Sequence, residues 1–331
     1  MIITRTPFRV SFIGGGSDLK EFYQHSPGAV LSTTIDKFVY ISSHYFFDED
    51  KVRVKYSQTE TVSDVNELRH PIVKEILKKF KVKGALEVSS NADIPASTGL
   101  GSSSSFTVGM LHTLYREFRK PISKQQLAEE ACDIEIGRLK EPIGKQDQYA
   151  AAFGGLNVIR FNPPGMPVMV EPLELEDEVF RTLENNLFMF YIGDQRKASS
   201  ILAEQKKNVQ SKEKFDVLKR MVDLVWEARE ALSRGNLNGF GEILHKNWVL
   251  KQKLASKITN PKINSLYNRA LTSGAVGGKL LGAGGGGFLL FYCDERNHKK
   301  LQDEMSFLRR LDFKFEKEGS KLIYKDEKNE K

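Results

Sequence analysis

The residues Pro95-Ala96-Ser97-Thr98-Gly99-Leu100-Gly101 run without a break into Ser102-Ser103-Ser104-Ser105 and on into an apolar-striped segment. From Ser103 to Phe118, the side chains Phe106, Met110, Leu111, Leu114, Tyr115 and Phe118 fall on one face at helical spacing. A glycine loop that opens a helix gathers unpaired N–H groups and the positive end of the helix dipole at one point. That arrangement holds phosphate. Serine hydroxyls add donors and an oxygen ligand for Mg²⁺. A helix cap alone needs one serine, and four follow Gly101. The chain must therefore fold around a loop-to-helix junction that an anion can reach.

Two further glycine runs need a place near it. Gly14-Gly15-Gly16-Ser17-Asp18 follows a strand-like segment and reads either as a tight turn or as backbone left bare for close approach. Gly282–Gly287 fits GxGxxG in form. A dinucleotide fingerprint opens a helix, whereas Phe288–Tyr292 reads as a strand, so the dinucleotide reading fails its context. A glycine loop between strands instead brings backbone close to a ligand or to another part of the chain. The GxxxxGK[ST] pattern is absent: Gly144-Lys145 is followed by Gln146, and Gly278-Lys279 by Leu280. The HRD and DFG motifs of protein kinases are absent too.

The coarse element order predicts an α+β chain. Ile2–Ile13 and Ala29–Phe47 read as strands, His70–Phe80 as a short helix, and Leu86–Asn91 as a strand. Ser123 predicts the cap of one continuous helix over Lys124–Arg138. Gly155–Phe161 is a strand ended by the breaker Asn162–Gly165. A second unit opens with the strand Leu187–Ile192, continues through helices to about Lys257, and closes through two strands, a helix and short strands to Tyr324. At 331 residues, two domains are expected, 1–184 and 185–331, with mainly antiparallel sheets and helices on one side.

Composition narrows the function classes. The longest apolar runs are about six residues, against roughly 20 for a membrane span, and the N-terminus lacks a cleavable signal layout. The two cysteines, Cys132 and Cys293, show no CxxC spacing, so neither a zinc cage nor a disulfide framework is expected. A reducing cytoplasmic setting and no membrane partner follow as expectations. The net charge is +7. Gln195–Arg220 and His245–Lys262 each carry a net +5, so the basicity is local to the second half. An RNA-binding module would need aromatic residues among those cations. Gln195–Arg220 holds only Phe215, and no nucleic-acid partner is expected.

A polar cluster lies ahead of the small apolar run Ala150–Ala152: Glu135, then Lys140 through Tyr149, with Asp147 inside it. Taken alone it reads as a surface loop or as a set of acid–base and metal-binding groups. Taken together with the glycine runs, it resembles the GHMP kinase superfamily of small-molecule kinases. The glycine-serine loop is similar to that family's phosphate motif, Thr6-Pro7-Phe8-Arg9-Val10 through Asp18 to its N-terminal substrate motif, and Gly282–Gly287 to its C-terminal glycine motif. The resemblance spans residue 2 to about residue 292. The segments TRTPFRVSFIGGGSD and GKQDQYAAAFGGLN look most like the branch of bacterial D-glycero-D-manno-heptose 7-phosphate kinases.

The resemblance implies a two-domain fold, ribosomal-protein-like then ferredoxin-like, with the site between the domains. It implies ATP and Mg²⁺ as cofactors and a small-molecule sugar phosphate as substrate. Pro95, Thr98, Gly99, Leu100, Gly101, Ser102, Ser103 and Ser104 would cradle the nucleotide, with Ser103 and Glu135 holding the metal. Asp147 would take or orient the hydroxyl proton, and Arg9 and Lys145 compete as the cation beside it. Gly15, Gly16, Ser17, Asp18, Gly284 and Gly285 would meet the sugar. A phosphorylated substrate needs a second anion site, for which Arg196, at a helix start, and Lys279 are expected. Another sugar 1-kinase of the same superfamily is the nearest rival reading.

Overall fold

The computed structural model describes residues 1–193 and 198–326. The first half runs β1 (Ile2–Ile13), α1 (Lys20–Tyr23), β2 (Gly28–Tyr45), β3 (Val52–Lys55), β4 (Thr59–Val62), α2 (Pro71–Lys79), β5 (Leu86–Ala92) and α3 (Ser102–Glu117). It continues with α4 (Lys124–Cys132), α5 (Gln146–Phe153), β6 (Asn157–Phe161), β7 (Met169–Pro172) and α6 (Asp177–Asn185). The second half runs β8 (Leu187–Gly193), α7 (Ala198–Asn208), α8 (Lys212–Ser233), α9 (Leu237–Lys251), α10 (Pro261–Thr272), β9 (Ala275–Leu280) and β10 (Gly287–Cys293). It ends with α11 (His298–Glu304), β11 (Arg309–Leu311), β12 (Phe315–Glu316) and β13 (Lys321–Lys325).

Among the described residues the strands form two sheets. The larger has nine strands, β13-β1-β2-β5-β3-β4 along its spine, with β6 and β12 attached at β2 and β7 paired to β6. It is mixed, because β3 pairs parallel with β5 while β1 pairs antiparallel with β2 from Ile2↔Ser43 to Ile13↔Leu31. Pro7 lacks an N–H, and the register shifts there, between Pro7 and Phe8. The smaller sheet is antiparallel with order β11-β8-β10-β9. With helices between β8 and β9 and again between β10 and β11, this is the βαββαβ order of a ferredoxin-like unit.

The end of the chain crosses back to the beginning. β12 pairs with β2, and β13 pairs with β1, so residues beyond the expected 184/185 division complete the first sheet. The cores join as well: Phe12 of β1 meets Phe240 of α9 edge-on at 5.5 Å and Phe315 of β12 at 6.4 Å.

The central helix is α3, buried over most of its length between β1, β2 and α5. Gly109 lets β1 approach, since a Cβ there would sit 2.8 Å from Thr6 Oγ1. The single helix expected over Lys124–Arg138 is instead an α-helix to Cys132 followed by a wider π-helical turn, Asp133–Arg138. Glu135 lies in that turn, a position where π-bulges commonly serve a functional side chain.

Candidate active site

A cavity of about 1080 Å³ opens where the tip of β1, the start of α3, the start of α5 and the loop after β9 converge. Its floor is the glycine-serine loop. Gly101, at φ +76°, is the N-cap of α3 and brings no side chain to cap it, so the helix starts uncapped at the edge of the cavity. Gly99, Gly101, Ser102, Ser103 and Ser104 line the wall, with Pro95 at its outer end. Thr98 and Leu100 do not line it. Thr98 is 1% exposed and its hydroxyl donates to Pro95 O, while Leu100 is a core residue whose carbonyl accepts from Arg9 N. Within the loop these two are anchors.

Arg9 projects from the middle of β1 into the loop. Its Nε and Nη2 donate to Asp147 Oδ1 and Oδ2, each at 2.7 Å, and its Nη1 donates to Gly99 O at 2.6 Å. A Cβ on Gly101 would lie 3.3 Å from Asp147 Oδ2. One guanidinium thus clamps a carboxylate against the start of the phosphate loop. Lys145, the rival cation, turns away: its ammonium sits over the Tyr23 ring at 5.0 Å. Arg9 therefore takes the place beside Asp147 for which the two competed.

Glu135 is 1% exposed. Its Oε1 accepts from Ser103 Oγ and its Oε2 from Gln148 Nε2, both at 2.7 Å. Burial raises its pKa, with the Ser103 and Gln148 hydrogen bonds opposing. A carboxylate oxygen and a hydroxyl oxygen thus stand together at the helix start. Mg²⁺ takes oxygen ligands, often one or two carboxylates plus substrate phosphates, and this pair fits it. Among the described residues no cluster of three His, Cys, Asp or Glu offers a cage for a metal held by protein alone.

Asp18 closes the far side. Its Oδ1 accepts from Gly16 N at 2.9 Å and its Oδ2 from Gln146 N at 3.2 Å. Burial, then the nearby Asp147 charge, raises its pKa. Gly15 and Gly16 line the cavity beside it. Ser17 does not: its one hydroxyl proton lies between Gly14 O at 2.8 Å and Ala29 O at 2.9 Å, and its oxygen accepts from Ala29 N, which holds the turn against β2.

The third glycine run packs on the phosphate loop. A Cβ on Gly282 would lie 2.5 Å from Gly99 Cα, and one on Gly287 2.4 Å from Thr98 O. Only glycine permits that approach. Gly284 and Gly285 do not line the cavity and sit against Ile258, whose carbonyl accepts from Gly285 N at 3.0 Å. Lys279 does line it, but its ammonium donates to Ser11 O at 2.6 Å and Phe12 O at 2.9 Å. Burial pushes its pKa well below that of ordinary lysine. Arg196 lies outside the described residues.

Sequence reasoning missed Lys251. It lines the cavity, is 5% exposed, and donates to Gly282 O. Burial and the Arg9 charge lower its pKa to about 8, with Asp18 and Asp147 pulling the other way. The signal was available: Phe240, Leu244, Asn247, Trp248 and Lys251 form one buried stripe of α9, and a lysine does not belong on such a face without a task. Gln146, Gln205 and Ser11 also line the cavity and were passed over.

A helix start built for phosphate, a buried carboxylate on its serine, and a clamped Arg–Asp pair beside an open cavity define a small-molecule phosphotransferase. Two family models match in order, the GHMP kinases N terminal domain over residues 67–155 and the GHMP kinases C terminal over residues 228–308. The chain belongs to the GHMP kinases. It is 28% identical to the D-glycero-alpha-D-manno-heptose 7-phosphate kinase of Campylobacter jejuni, over 97% of this chain and 98% of that protein. It is 27% identical to a galactokinase of Pyrococcus furiosus over 91% and 92%. Among solved structures, a D-glycero-D-manno-heptose 1-phosphate kinase from Bacteroides thetaiotaomicron superposes with a TM-score of 0.80 at 21% identity, covering 98% of this chain and 100% of that one. A putative sugar kinase from Campylobacter jejuni superposes at 0.76 with 27% identity, covering 97% of each. The two-domain GHMP kinase fold and the kinase assignment stand on these matches. No helix among the described residues is long and apolar enough to cross a membrane.

Proposed function

We propose that the protein transfers the γ-phosphoryl group of ATP to the anomeric hydroxyl of D-glycero-D-manno-heptose 7-phosphate, giving the 1,7-bisphosphate and ADP. The observation that carries the reading is the Arg9–Asp147 clamp set against Gly101 of the phosphate loop. It puts a proton acceptor and a phosphate cradle on two sides of one reacting position. The sugar comes from the relative that matches over nearly the full length of both chains.

In this mechanism the first-turn amides of Ser102–Ser104 and the dipole of α3 hold the phosphates. Ser103 and Glu135 would hold Mg²⁺, which when bound neutralises charge on the β- and γ-oxygens. Each Asp147 oxygen spends one lone pair on Arg9 and keeps another for the acceptor hydroxyl. As the sugar oxygen bonds to the γ-phosphorus, the bond from that phosphorus to the β–γ bridging oxygen breaks, and the hydroxyl proton passes to Asp147. Arg9 meanwhile keeps the carboxylate in line and adds positive charge beside the transferred group. Asp18 accepts from sugar hydroxyls, and Gly15 and Gly16 present bare backbone to the acceptor where they line the cavity.

The acceptor's own phosphate calls for a cation as well. Arg196 and Lys279 remain the proposed pair, with two of the three donors of the Lys279 ammonium already spent on β1 carbonyls and one left for a phosphate. An ADP-release assay over sugars and sugar phosphates tests the reading. Turnover of the heptose 7-phosphate far above free hexoses is expected, and preferred turnover of galactose or fucose would replace the acceptor.

A further inference from the structure

Three buried polar atoms around the acceptor side of the cavity have no hydrogen-bond partner: Ser11 Oγ, Gln146 Oε1 and Gln205 Nε2. Ser11 is 6% exposed and Gln205 3% exposed, yet both line the cavity, as does Gln146. The three side chains converge on one short piece of backbone, with the orphaned Gln146 Oε1 4.0 Å from a Cβ built on Gly15. A Cβ built on Gly15 would lie 3.6 Å from Gln146 Nε2 and 3.7 Å from Ser11 Oγ, and one built on Gly16 would lie 2.2 Å from Gln205 Nε2.

Folded proteins pair nearly all their buried polar atoms, and an orphan is costly to keep. Three orphans around two bare glycines, on walls supplied by β1, the start of α5 and α7, mark a ligand that completes them. Its chemistry follows from the groups. A serine hydroxyl donates and accepts, a carboxamide offers one of each at opposite ends, and none of the three carries charge. Such groups suit hydroxyls better than phosphate, which calls for cations or a helix start. Asp18, alongside, is already held by Gly16 N and Gln146 N and is a fixed acceptor in the same wall.

We propose that Ser11, Gln146 and Gln205 are specificity-determining residues that pair with the hydroxyls of a polyhydroxylated acceptor, which occupies the cavity that Gly15 and Gly16 line beside them. The inference rests on the cavity being the acceptor site of the reaction proposed above. Ser11 and Gln146 belong to the first half of the chain and Gln205 to the second. A bound acceptor therefore ties α7 to the turn after β1.

The test is a cycle between protein and acceptor. Gln205→Leu, Ser11→Ala and Gln146→Leu are assayed with the heptose 7-phosphate and with its monodeoxy analogues. Each variant should raise the acceptor KM about tenfold or more and leave the ATP KM within about twofold. The Gln205→Leu penalty should vanish on the analogue that lacks the hydroxyl Gln205 reads. Gln205→Met keeps the side-chain length and should give the same pattern, with thermal midpoints separating it from misfolding. An equal penalty on the parent and every analogue, or no penalty, overturns the proposal. If the wild-type protein turns over a different acceptor, the heptose reading fails, and the same cycle run on that acceptor still decides the role of these residues.

Discussion

Both carboxylate oxygens of Asp147 accept from the guanidinium of Arg9, Oδ1 from Nε and Oδ2 from Nη2, each at 2.7 Å. The pair is bidentate, and Arg9 is 5% exposed, so it has little freedom to stand elsewhere. This fixes the direction of the lone pairs that a substrate hydroxyl would meet. Asp147→Asn keeps the shape and loses the proton acceptor, and kcat is expected to fall by about 10²–10⁴ with the ATP KM unchanged. A kcat within a few-fold of wild type would remove Asp147 from the chemistry.

Arg9→Lys tests the clamp itself. A lysine keeps the charge but cannot bond both oxygens in one plane. We predict a fall in kcat, with thermal unfolding little changed, because the Leu100 anchor uses the main chain of residue 9 and survives the substitution. Kinetics equal to wild type would show that charge alone is needed.

Glu135→Gln addresses the metal. The amide keeps the size of the buried group and can still pair with Ser103 and Gln148, but it is a far weaker Mg²⁺ ligand. The Mg²⁺ concentration for half-maximal rate should rise about tenfold or more, with the rate partly restored at high metal. An unshifted metal titration would detach Glu135 from metal binding.

Gly144→Ala is predicted to injure the acceptor side only. A Cβ there would lie 1.9 Å from Asp18 Oδ2, a clash that must push the carboxylate off Gly16 N and Gln146 N. The acceptor KM should rise, and stability should fall by about 1–3 kcal/mol. Comparing acceptor KM, ATP KM and the urea midpoint checks this, and an ATP effect as large as the acceptor effect would contradict it.

The buried Lys251 gives stability a pH dependence of known sign. Its pKa is about 8 in the folded protein against 10.5 for an ordinary lysine. Between those values the unfolded chain holds the proton and the folded one does not, so this group makes stability rise with pH across that window. Below pH 8 both states carry the charge, and its unfavourable burial is constant. Lys251→Met should flatten the rise in the urea midpoint from pH 8 to pH 10. A pH slope identical in the two proteins would contradict the assignment.

The fold and the phosphate loop were legible where chemistry is local. The glycine-serine run, the capped helix starts and the strand flanks follow from backbone preference and periodicity. The second sheet's helices were legible as a group. Sequence could not rank Arg9 against Lys145, because one stands in the N-terminal motif and the other two residues before Asp147, and neither position fixes which side chain meets the carboxylate. Strand alternation sends Arg9 to the cavity face of β1, while Lys145, at the start of α5, finds the Tyr23 ring. Nor could it separate Ser17 or Leu100 from their neighbours in the same motifs, since anchoring and contacting residues alternate along a tight loop. The helix α5 escaped notice because Ala150–Ala152 give small residues and no amphipathic stripe. The π-helical turn at Glu135 also keeps the local composition of an α-helix, so only the position of the buried carboxylate reveals it.

The strand that carries Arg9 has two neighbours of very different age during synthesis. β2 is available once the first 45 residues have emerged, but β13, which pairs Ile2 with Lys325 and Arg5 with Lys321, comes last. Until then one edge of β1 keeps open N–H and C=O groups, the kind of edge on which nascent chains aggregate. A chain released before Lys321 would contain the whole active site and lack the strand that seals it. Loss of Lys321–Lys325 would therefore be felt first as poor yield and only afterwards as poor catalysis.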